Sequence, residues 1–241
     1  WAVSDTIRAT QTIAGDTNVA ESRQDCAAFH AADIEKALFF GQKTQGTRNG
    51  QAFRTLGGLI EITGTLGYYP SYMSSVNITT AGATTNLTQL EAALDPVFNQ
   101  TTDPKGANER TLFVGGVAKK VITAIGRLNG TYTLVDGQTS FGLQFSTFKT
   151  SRGTFRIIEH PLFNSNVSWQ KMAVAVDLAS FNVAYLGDRK TQNKEFNQDG
   201  NCADDNGIDA VGGTLTTELT AVVKNPPANA VIYNLTAGAA G

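Results

Sequence analysis

The stretch from Asn18 to Gly41 constrains the fold more than any other part of this sequence, because it has the features of one long helix with defined ends. Asn18 is suited to the N-cap position, and Glu21 stands three residues further on, where a capping-box carboxylate reaches back to the cap. Gly41 tolerates the positive φ at which helices often end. The sequence therefore predicts a helix over 18–40, roughly 33 Å long.

Apolar residues occur on two sides of this predicted helix. Phe29 and Phe39 fall toward its polar side, where a helix that serves only its own core does not need them. A wide core face in a packed domain explains the pattern, and so does a helix covered on one side by its own domain and on another by a neighbouring subunit. The stripe expected to face the core has helical spacing: Ala20, Ala27, Ala31, Ile34 and Leu38.

The bulk properties exclude several classes of protein. The chain has 241 residues, enough for one domain or two small ones, and its 41% hydrophobic and 17% charged residues are typical of a globular protein of low charge. A net charge of −2 gives no electrostatic reason to bind nucleic acid or an anionic membrane. No apolar run approaches the ~20 residues of a membrane span, so we expect no membrane partner. The chain starts at Trp1, and we expect it to be a processed or trimmed product.

The residues that commonly carry catalysis or bind metals are sparse and scattered. His30 lies in the predicted helix and His160 follows a predicted strand, and both are expected to be structural. Cys26 is interpreted as a small buried hydrophobic residue, although a bridge to Cys202 stays open because sequence says nothing about their distance. No nucleophile, base and oxyanion donor stand in a recognisable arrangement, so we expect no enzyme and no cofactor.

An acidic segment between Asp199 and Asp209 is the best candidate for a metal site, because carboxylate oxygens in a loop suit Ca²⁺. Its spacing fails the EF-hand pattern, since the fifth position is Ala203 or Ile208, and the glutamate at the twelfth position is missing. We interpret 197–213 as an exposed loop that can be shortened, and no metal site is predicted.

The rest of the chain predicts an α+β order of elements. Residues 1–16 have an imperfect period of two and predict an orphan strand that must either pair elsewhere or be mobile. The other main predictions are strands at 59–63, 111–114, 155–159, 172–177, 182–186, 214–224 and 230–235, helices at 88–98 and 117–125, a polar glycine-rich loop at 42–51, a long loop at 190–213, and hairpin turns at Asn129-Gly130 and Asp136-Gly137.

In this order of segments the sequence resembles the major capsid proteins of tailed phages with the Hong Kong 97 fold, in particular the SU10-type branch. The resemblance is spread over almost the whole chain. The segments that carry it are 4–17 with the helix 21–40, Arg54-x-x-Gly57-Gly58-Leu59-Ile60, 112–122 around Gly115-Gly116, 155–160, 174–186 with its Asp177-to-Leu186 motif, and 218–226 with 230–235.

The resemblance implies a Hong Kong 97-like capsid fold with a long spine helix, a peripheral-domain sheet, and an axial-domain mixed sheet with flanking helices. It implies five parts: an incomplete extended-loop strand at 1–16, a peripheral domain at 17–75, its spine helix at 18–40, a mainly axial domain at 76–190, and a long loop with closing strands at 191–241. The family's N-terminal arm and the ascending half of its extended loop would precede Trp1.

The function implied is that of a structural subunit that self-assembles into hexamers and pentamers of an icosahedral phage head. The head would enclose DNA, contacted without sequence specificity. Decoration or scaffolding proteins and a portal are further candidate partners, and the expected location is the virion, assembled in the host cytoplasm. Four residues are the candidates for subunit interfaces: Ile7, Ile13, Phe29 and Phe39. A charge at either Phe, such as Phe39→Asp, is expected to disturb assembly more than folding.

A secreted β-rich module that binds glycans or acts as an adhesin is the alternative. It would explain the abundance of Thr and Asn but not the long helix. It also draws on six Asn-x-Ser/Thr triplets, which a secreted protein could glycosylate: Asn77, Asn86, Asn99, Asn129, Asn166 and Asn234.

Overall fold

The computed structural model describes most of the chain, namely residues 1–9, 18–100, 108–129, 145–196 and 210–238. The chain divides into two units. Its architecture is mixed α+β, as predicted. The first unit consists of Trp1–Leu38 and Val183–Thr220, and the second consists of Phe39–Asn182 and Ala221–Gly241. The hairpin turn predicted at Asp136-Gly137, most of the turn at Asn129-Gly130, and the acidic loop 197–209 lie outside the described residues.

The helices and strands alternate irregularly along the chain. The helices in the described ranges are α1 (Asp5–Ala9), α2 (Asn18–Phe40), α3 (Leu59–Gly64), α4 (Leu87–Leu94) and α5 (Gly116–Asn129). The strands are β1 (Ala2–Ser4), β2 (Gln45–Arg48), β3 (Gln51–Arg54), β4 (Ile78–Thr80), β5 (Glu109–Val114), β6 (Phe145–Lys149), β7 (Thr154–Glu159), β8 (Ala173–Val176), β9 (Phe181–Tyr185), β10 (Gln192–Phe196), β11 (Ala210–Thr216), β12 (Leu219–Val223) and β13 (Ala230–Tyr233). Strands β9 and β12 form a two-stranded sheet.

The first unit combines α2 with a three-stranded antiparallel sheet in the order β1-β11-β10. Strand β1 pairs with β11 in the register Val3↔Val211, so the terminal strand finds its partner within the same chain. The prediction of a strand over 1–16 is wrong at 5–9, where α1 forms. The Ser4 hydroxyl accepts a hydrogen bond from the Ile7 amide at 3.4 Å, and Arg8 pairs with Asp5 at 2.6 Å, a spacing of three residues that favours the helix.

Helix α2 begins and ends as the sequence predicts, but the side that packs on its own unit is not the side that was predicted to face the core. Ala20, Ala27 and Ala31, which were expected to face the core, are exposed. The half-buried positions at helical spacing are Val19, Ser22, Cys26, His30, Ile34 and Ala37. Because alanine occupies six of the thirteen apolar positions of α2, hydrophobic periodicity orients the helix weakly, and polar contacts described below decide its rotation.

The second unit is built on a six-stranded mixed sheet in the order β4-β13-β8-β5-β7-β6. The pairs β4–β13 and β5–β7 are parallel, and the pairs β13–β8, β8–β5 and β7–β6 are antiparallel. Helices α4 and α5 pack on one face of this sheet. Their predicted positions at 88–98 and 117–125 are confirmed within one to four residues, with a 3₁₀ turn at Asp95–Phe98 completing the first.

Both faces of this sheet are buried, because successive side chains along a strand point to opposite sides. Leu112 of β5 packs under α4 and α5, whereas its neighbour Phe113 packs on the other face. Ala173 and Val174 of β8 alternate in the same way, and all four residues of β8 are buried. The second face is covered by α3 and by an aromatic cluster that includes Phe163.

Two predicted strands differ in the structure. Residues 59–63 form α3, because Leu59, Ile62 and Thr63 recur at helical spacing and are all buried, and this burial outweighs the strand propensity of their β-branched side chains. The single strand expected at 214–224 is divided into β11 and β12 around Glu218, whose backbone bonds Leu186 and Arg189 instead. The loop expected at 190–213 contains β10 and the start of β11.

Gly115, at the turn between β5 and α5, must be glycine because the backbone of Trp169 and Gln170 lies close against it. A Cβ at this position would lie 2.5 Å from the Cα of Gln170 and 2.6 Å from the carbonyl oxygen of Trp169. We expect Gly115→Ala to lower the free energy of unfolding of the second unit by roughly 2–3 kcal/mol. Gly67→Ala is the matched control, since its Cβ would have no neighbour closer than 4.0 Å. Equal thermal unfolding curves for the two variants would contradict this prediction.

Candidate assembly surfaces

Helix α2 is held in the first unit by polar contacts along one side. The His30 ring nitrogen Nε2 lies 2.8 Å from the Thr217 hydroxyl, just beyond the end of β11. Arg23 forms an ion pair with Glu195 of β10, and its guanidinium lies 5.2 Å from the centre of the Trp1 ring. These contacts orient the half-buried side and leave the remaining sides of α2 exposed.

One exposed row on α2 combines an aromatic ring with carboxylates. Glu21, Asp25, Phe29 and Asp33 follow one another at intervals of four residues, so each lies one turn from the next, and all four are exposed. Phe29 has 72% of its surface exposed. Within the described part of the chain, none of these three carboxylates takes part in an ion pair. We call these four residues the acidic row.

Phe39, the second aromatic candidate of the helix, lies in the second unit and is half-buried. Its ring centre is 5.4 Å from that of Phe113, 5.3 Å from that of His160 and 5.4 Å from that of Phe163, all with edge-to-face geometry. Phe40 beside it stacks on Trp169 at 4.0 Å. Phe39 is therefore part of the aromatic cluster that packs on the sheet, and its role at a subunit interface stays a prediction.

The two isoleucine candidates belong to the start of the chain. Ile7 lies on α1 and has 50% of its surface exposed, while Ile13 lies outside the described residues. The structure therefore leaves Ile7 accessible to a partner, and the interface roles of both residues stay predictions.

A fully exposed β-hairpin in the second unit includes much of the segment 42–51 that was predicted to be a polar loop. Strands β2 and β3 pair antiparallel in the register Gly46↔Phe53 and Arg48↔Gln51, and every residue from 42 to 55 is exposed. Asn49 and Gly50 occupy the turn with φ of 52° and 75°, as a type I′ turn requires. The Asn-Gly pair was the signal that could have revealed it.

Helix α5 borders an open groove of about 750 Å³ in the second unit. Lys119 is paired there with Glu159 at 3.1 Å, while Lys120 and Arg127 are exposed. A hydrogen bond from the Asn164 amide holds the pKa of the Glu159 carboxyl below its usual range, and Lys119 adds to this effect. Along α5 the groove therefore has one cation in an ion pair, Lys119, and two exposed cations, Lys120 and Arg127.

The described residues contain no cluster of three or more His, Cys, Asp or Glu side chains that could hold a metal ion. No helix in the described ranges is both long and apolar enough to cross a membrane. His160 lies among the rings of Phe39, Phe113 and Phe163, and its Nδ1 accepts a hydrogen bond from the Leu162 amide at 3.3 Å. Cys26 is a half-buried free cysteine. Cys202 is among the residues that are not described.

Comparison of the chain with models of known protein families identifies its family. The model of the SU10 major capsid protein family matches residues 1–236. This chain belongs to the SU10 major capsid protein family. A relative, the major capsid protein of Pseudomonas phage PaMx41, is 34% identical over 243 residues, an alignment that covers 98% of this chain and 57% of that protein. The capsid chain described here therefore spans a little over half the length of that relative.

Two solved structures are similar to this capsid chain at a lower level. A chain of the satellite phage P4 procapsid that includes the size determination (Sid) protein has a TM-score of 0.49 and 11% identity, covering 100% of this chain and 67% of that one. A chain of the capsid of an empty GTA particle has a TM-score of 0.49 and 12% identity, covering 97% and 70%.

Proposed function

We propose that this chain is the structural subunit of an icosahedral phage head, in which copies self-assemble into hexamers and pentamers around the DNA genome. The observation that carries the proposal is the exposure of α2. Within this helix of 23 residues, none of the residues 19–40 is fully buried, and Phe29 is mostly exposed. Exposed apolar surface on a long helix favours contact with another protein surface, and in this family the abundant partner is another copy.

Self-assembly of this kind requires two different surfaces on each copy. A head-to-tail contact closes into a ring when the rotation between copies allows it. Stable contacts bury on the order of 1,000 Å² or more, and each copy in a shell makes several of them. Closure of the shell then stabilises the assembly without any single tight interface.

The proposed architecture is the Hong Kong 97 fold. In this proposal α2 is the spine helix, the three-stranded sheet of the first unit belongs to the peripheral domain, and the six-stranded mixed sheet with α4 and α5 forms the axial domain. The boundaries at 17–75, 76–190 and 191–241 and the extended-loop role of 1–16 stay predictions. Support comes from family membership together with the α+β order of elements.

The remaining partners are proposed on the same basis. Packaged DNA would be contacted without sequence specificity, and Lys120 and Arg127 on α5 are cations that could neutralise phosphates. Decoration or scaffolding proteins and a portal would complete the head, and the protein would be located in the virion after assembly in the host cytoplasm. The alternative of a secreted glycan-binding or adhesin module has no support from the family comparison.

Sedimentation velocity over a range of protein concentrations tests self-association. The proposal predicts species larger than a monomer of 25.6 kDa, whose fraction increases with concentration. A single monomeric species at every concentration, with a circular dichroism spectrum typical of a folded α+β protein, would contradict it.

A further inference from the structure

The hairpin formed by β2 and β3 lacks a packing partner among the described residues. Every residue from 42 to 55 is exposed, and the hydrogen bonds of Thr55 with Gln42 and Thr44 fix only its base. An isolated two-stranded hairpin is marginally stable in water at best, because it has too little apolar surface to bury. A hairpin that projects in this way gains stability when another surface covers one of its faces.

One face of the hairpin is suited to such a contact. The cross-strand register places Gly46, Arg48, Gln51 and Phe53 on the same side, since side chains alternate along each strand. The Phe53 ring lies over Gly46, where an added Cβ would be 3.0 Å from the ring. Arg54 lies on the other side, and residues 45–54 contain no acidic residue. We call the side with Arg48 and Phe53 the basic face.

The acidic row of α2 has the complementary chemistry. Asp25 and Phe29 stand one turn apart, with Cβ atoms about 5–6 Å apart. Arg48 and Phe53 are diagonal neighbours across the hairpin, about 7–8 Å apart. The two pairs are therefore spaced so that the Arg48 guanidinium can reach a carboxylate while the two Phe rings meet. Arg binds carboxylates through two parallel hydrogen bonds. Glu21 lies one helical turn before Asp25 and offers the same guanidinium a second carboxylate.

We propose that the basic face of the hairpin in one copy docks on the acidic row of α2 in a neighbouring copy. This inference rests on the proposed function, because the occupant is a second copy of the chain. The two halves of the contact are separate segments of the chain, residues 45–54 and 21–33, so each copy can dock its hairpin on one neighbour and receive the hairpin of another. A contact of this head-to-tail kind is what a ring of subunits requires.

A charge swap tests the contact. We expect Arg48→Asp and Asp25→Arg each to raise by about tenfold the protein concentration at which half of the chains are assembled, because each change replaces attraction with repulsion. The two changes combined in one chain restore assembly to within about threefold of the wild type. Arg54→Asp is the matched control, since it makes the same charge change on the opposite face of the hairpin and shifts this concentration by less than about twofold.

A cross-link provides a second readout that does not depend on particle formation. Cysteine is placed at Arg48 in one preparation and at Asp25 in another, with Cys26 and Cys202 replaced by Ser in both. A short bismaleimide cross-linker, long enough to span the distance that the Arg48 side chain bridges in the proposed contact, should give covalent dimers in the mixture well above the level in either preparation alone, whereas a direct disulfide would need the two Cβ atoms about 4 Å apart. Circular dichroism and thermal unfolding of each variant confirm that the chains are folded.

The outcomes separate this inference from the proposed function. Particles that form equally well with Arg48→Asp and Asp25→Arg would overturn the inference and leave the capsid function intact. If the wild type forms no larger species, the proposed function fails. The yield of cross-linked dimers at high protein concentration then tests the inference by itself. Dimers above the level of the single preparations support the contact, and their absence overturns it.

Discussion

Phe163→Ala is expected to lower the free energy of unfolding of the second unit by about 3–5 kcal/mol, the range typical of a buried Phe truncated to Ala. The Phe163 side chain has no exposed surface. Its ring centre lies 5.4 Å from those of Phe39 and Phe40 and 5.5 Å from that of His160. Removing it leaves a cavity that its neighbours cannot fill without losing their contacts with each other.

Thermal unfolding measured by circular dichroism checks this prediction. Val167→Ala in the following segment is the control, because Val167 is 70% exposed and its truncation should change the free energy of unfolding by less than about 0.5 kcal/mol. If Phe163→Ala and Val167→Ala unfolded at the same temperature, the aromatic cluster would not be a structural core of the second unit.

Phe29→Asp is expected to abolish assembly while the subunit stays folded. Phe29 is 72% exposed, so the substitution should change the free energy of unfolding by less than about 0.5 kcal/mol. The new carboxylate would stand between Asp25 and Asp33, and burying it at an interface without a partner cation is costly. Light scattering for assembly and circular dichroism for folding measure the two effects separately.

Phe39→Asp serves as the contrast for Phe29→Asp. From the sequence, a charge at either residue is expected to affect assembly more than folding. The contacts of Phe39 with Phe113, His160 and Phe163 predict the reverse for this position. A charge among these rings should destabilise the second unit itself. Normal assembly by a folded Phe29→Asp chain would contradict the interface role of Phe29.

The extent of α2 could be predicted from the sequence, whereas its orientation could not. Its first and last residues, Asn18 and Phe40, agree with the N-cap and glycine signals. Alanine has little apolar surface, so the stripe through Ala20 and Ala27 did not mark the buried side, and contacts as distant in sequence as His30 with Thr217 decide it. Long-range polar contacts of this kind leave no local pattern.

The hairpin at 45–54 and helix α3 show two different reasons why prediction failed. Asn49-Gly50 is a recognised turn signal, but its flanking residues are polar on both faces, which hides the alternation expected of a strand. At α3, Ile60, Ile62 and Thr63 favour a strand by propensity, and only the burial of one helical side against the sheet overrides it. Strands β5, β8 and β13 of the six-stranded sheet were predictable because they are short, largely apolar and largely buried.

The basic face of the hairpin could not be predicted from the sequence for the same reason. Because the segment lacks apolar alternation, its sequence does not predict a strand. Without a predicted strand, Arg48 and Phe53 could not be assigned to the same face. Phe29 was identified as an interface candidate because an aromatic residue on the polar side of a helix departs from the expected pattern, and its exposure agrees with that reasoning.

Negative-stain electron microscopy of the purified chain tests the central claim most directly. If copies of this chain form a phage head, the micrographs should show closed shells or rings of five and six subunits. Light scattering of the same sample should give particle sizes far above that of a 25.6 kDa monomer. A folded protein that stays monomeric at the highest concentration reached, with neither rings nor shells in the micrographs, would contradict the claim that this chain assembles a capsid.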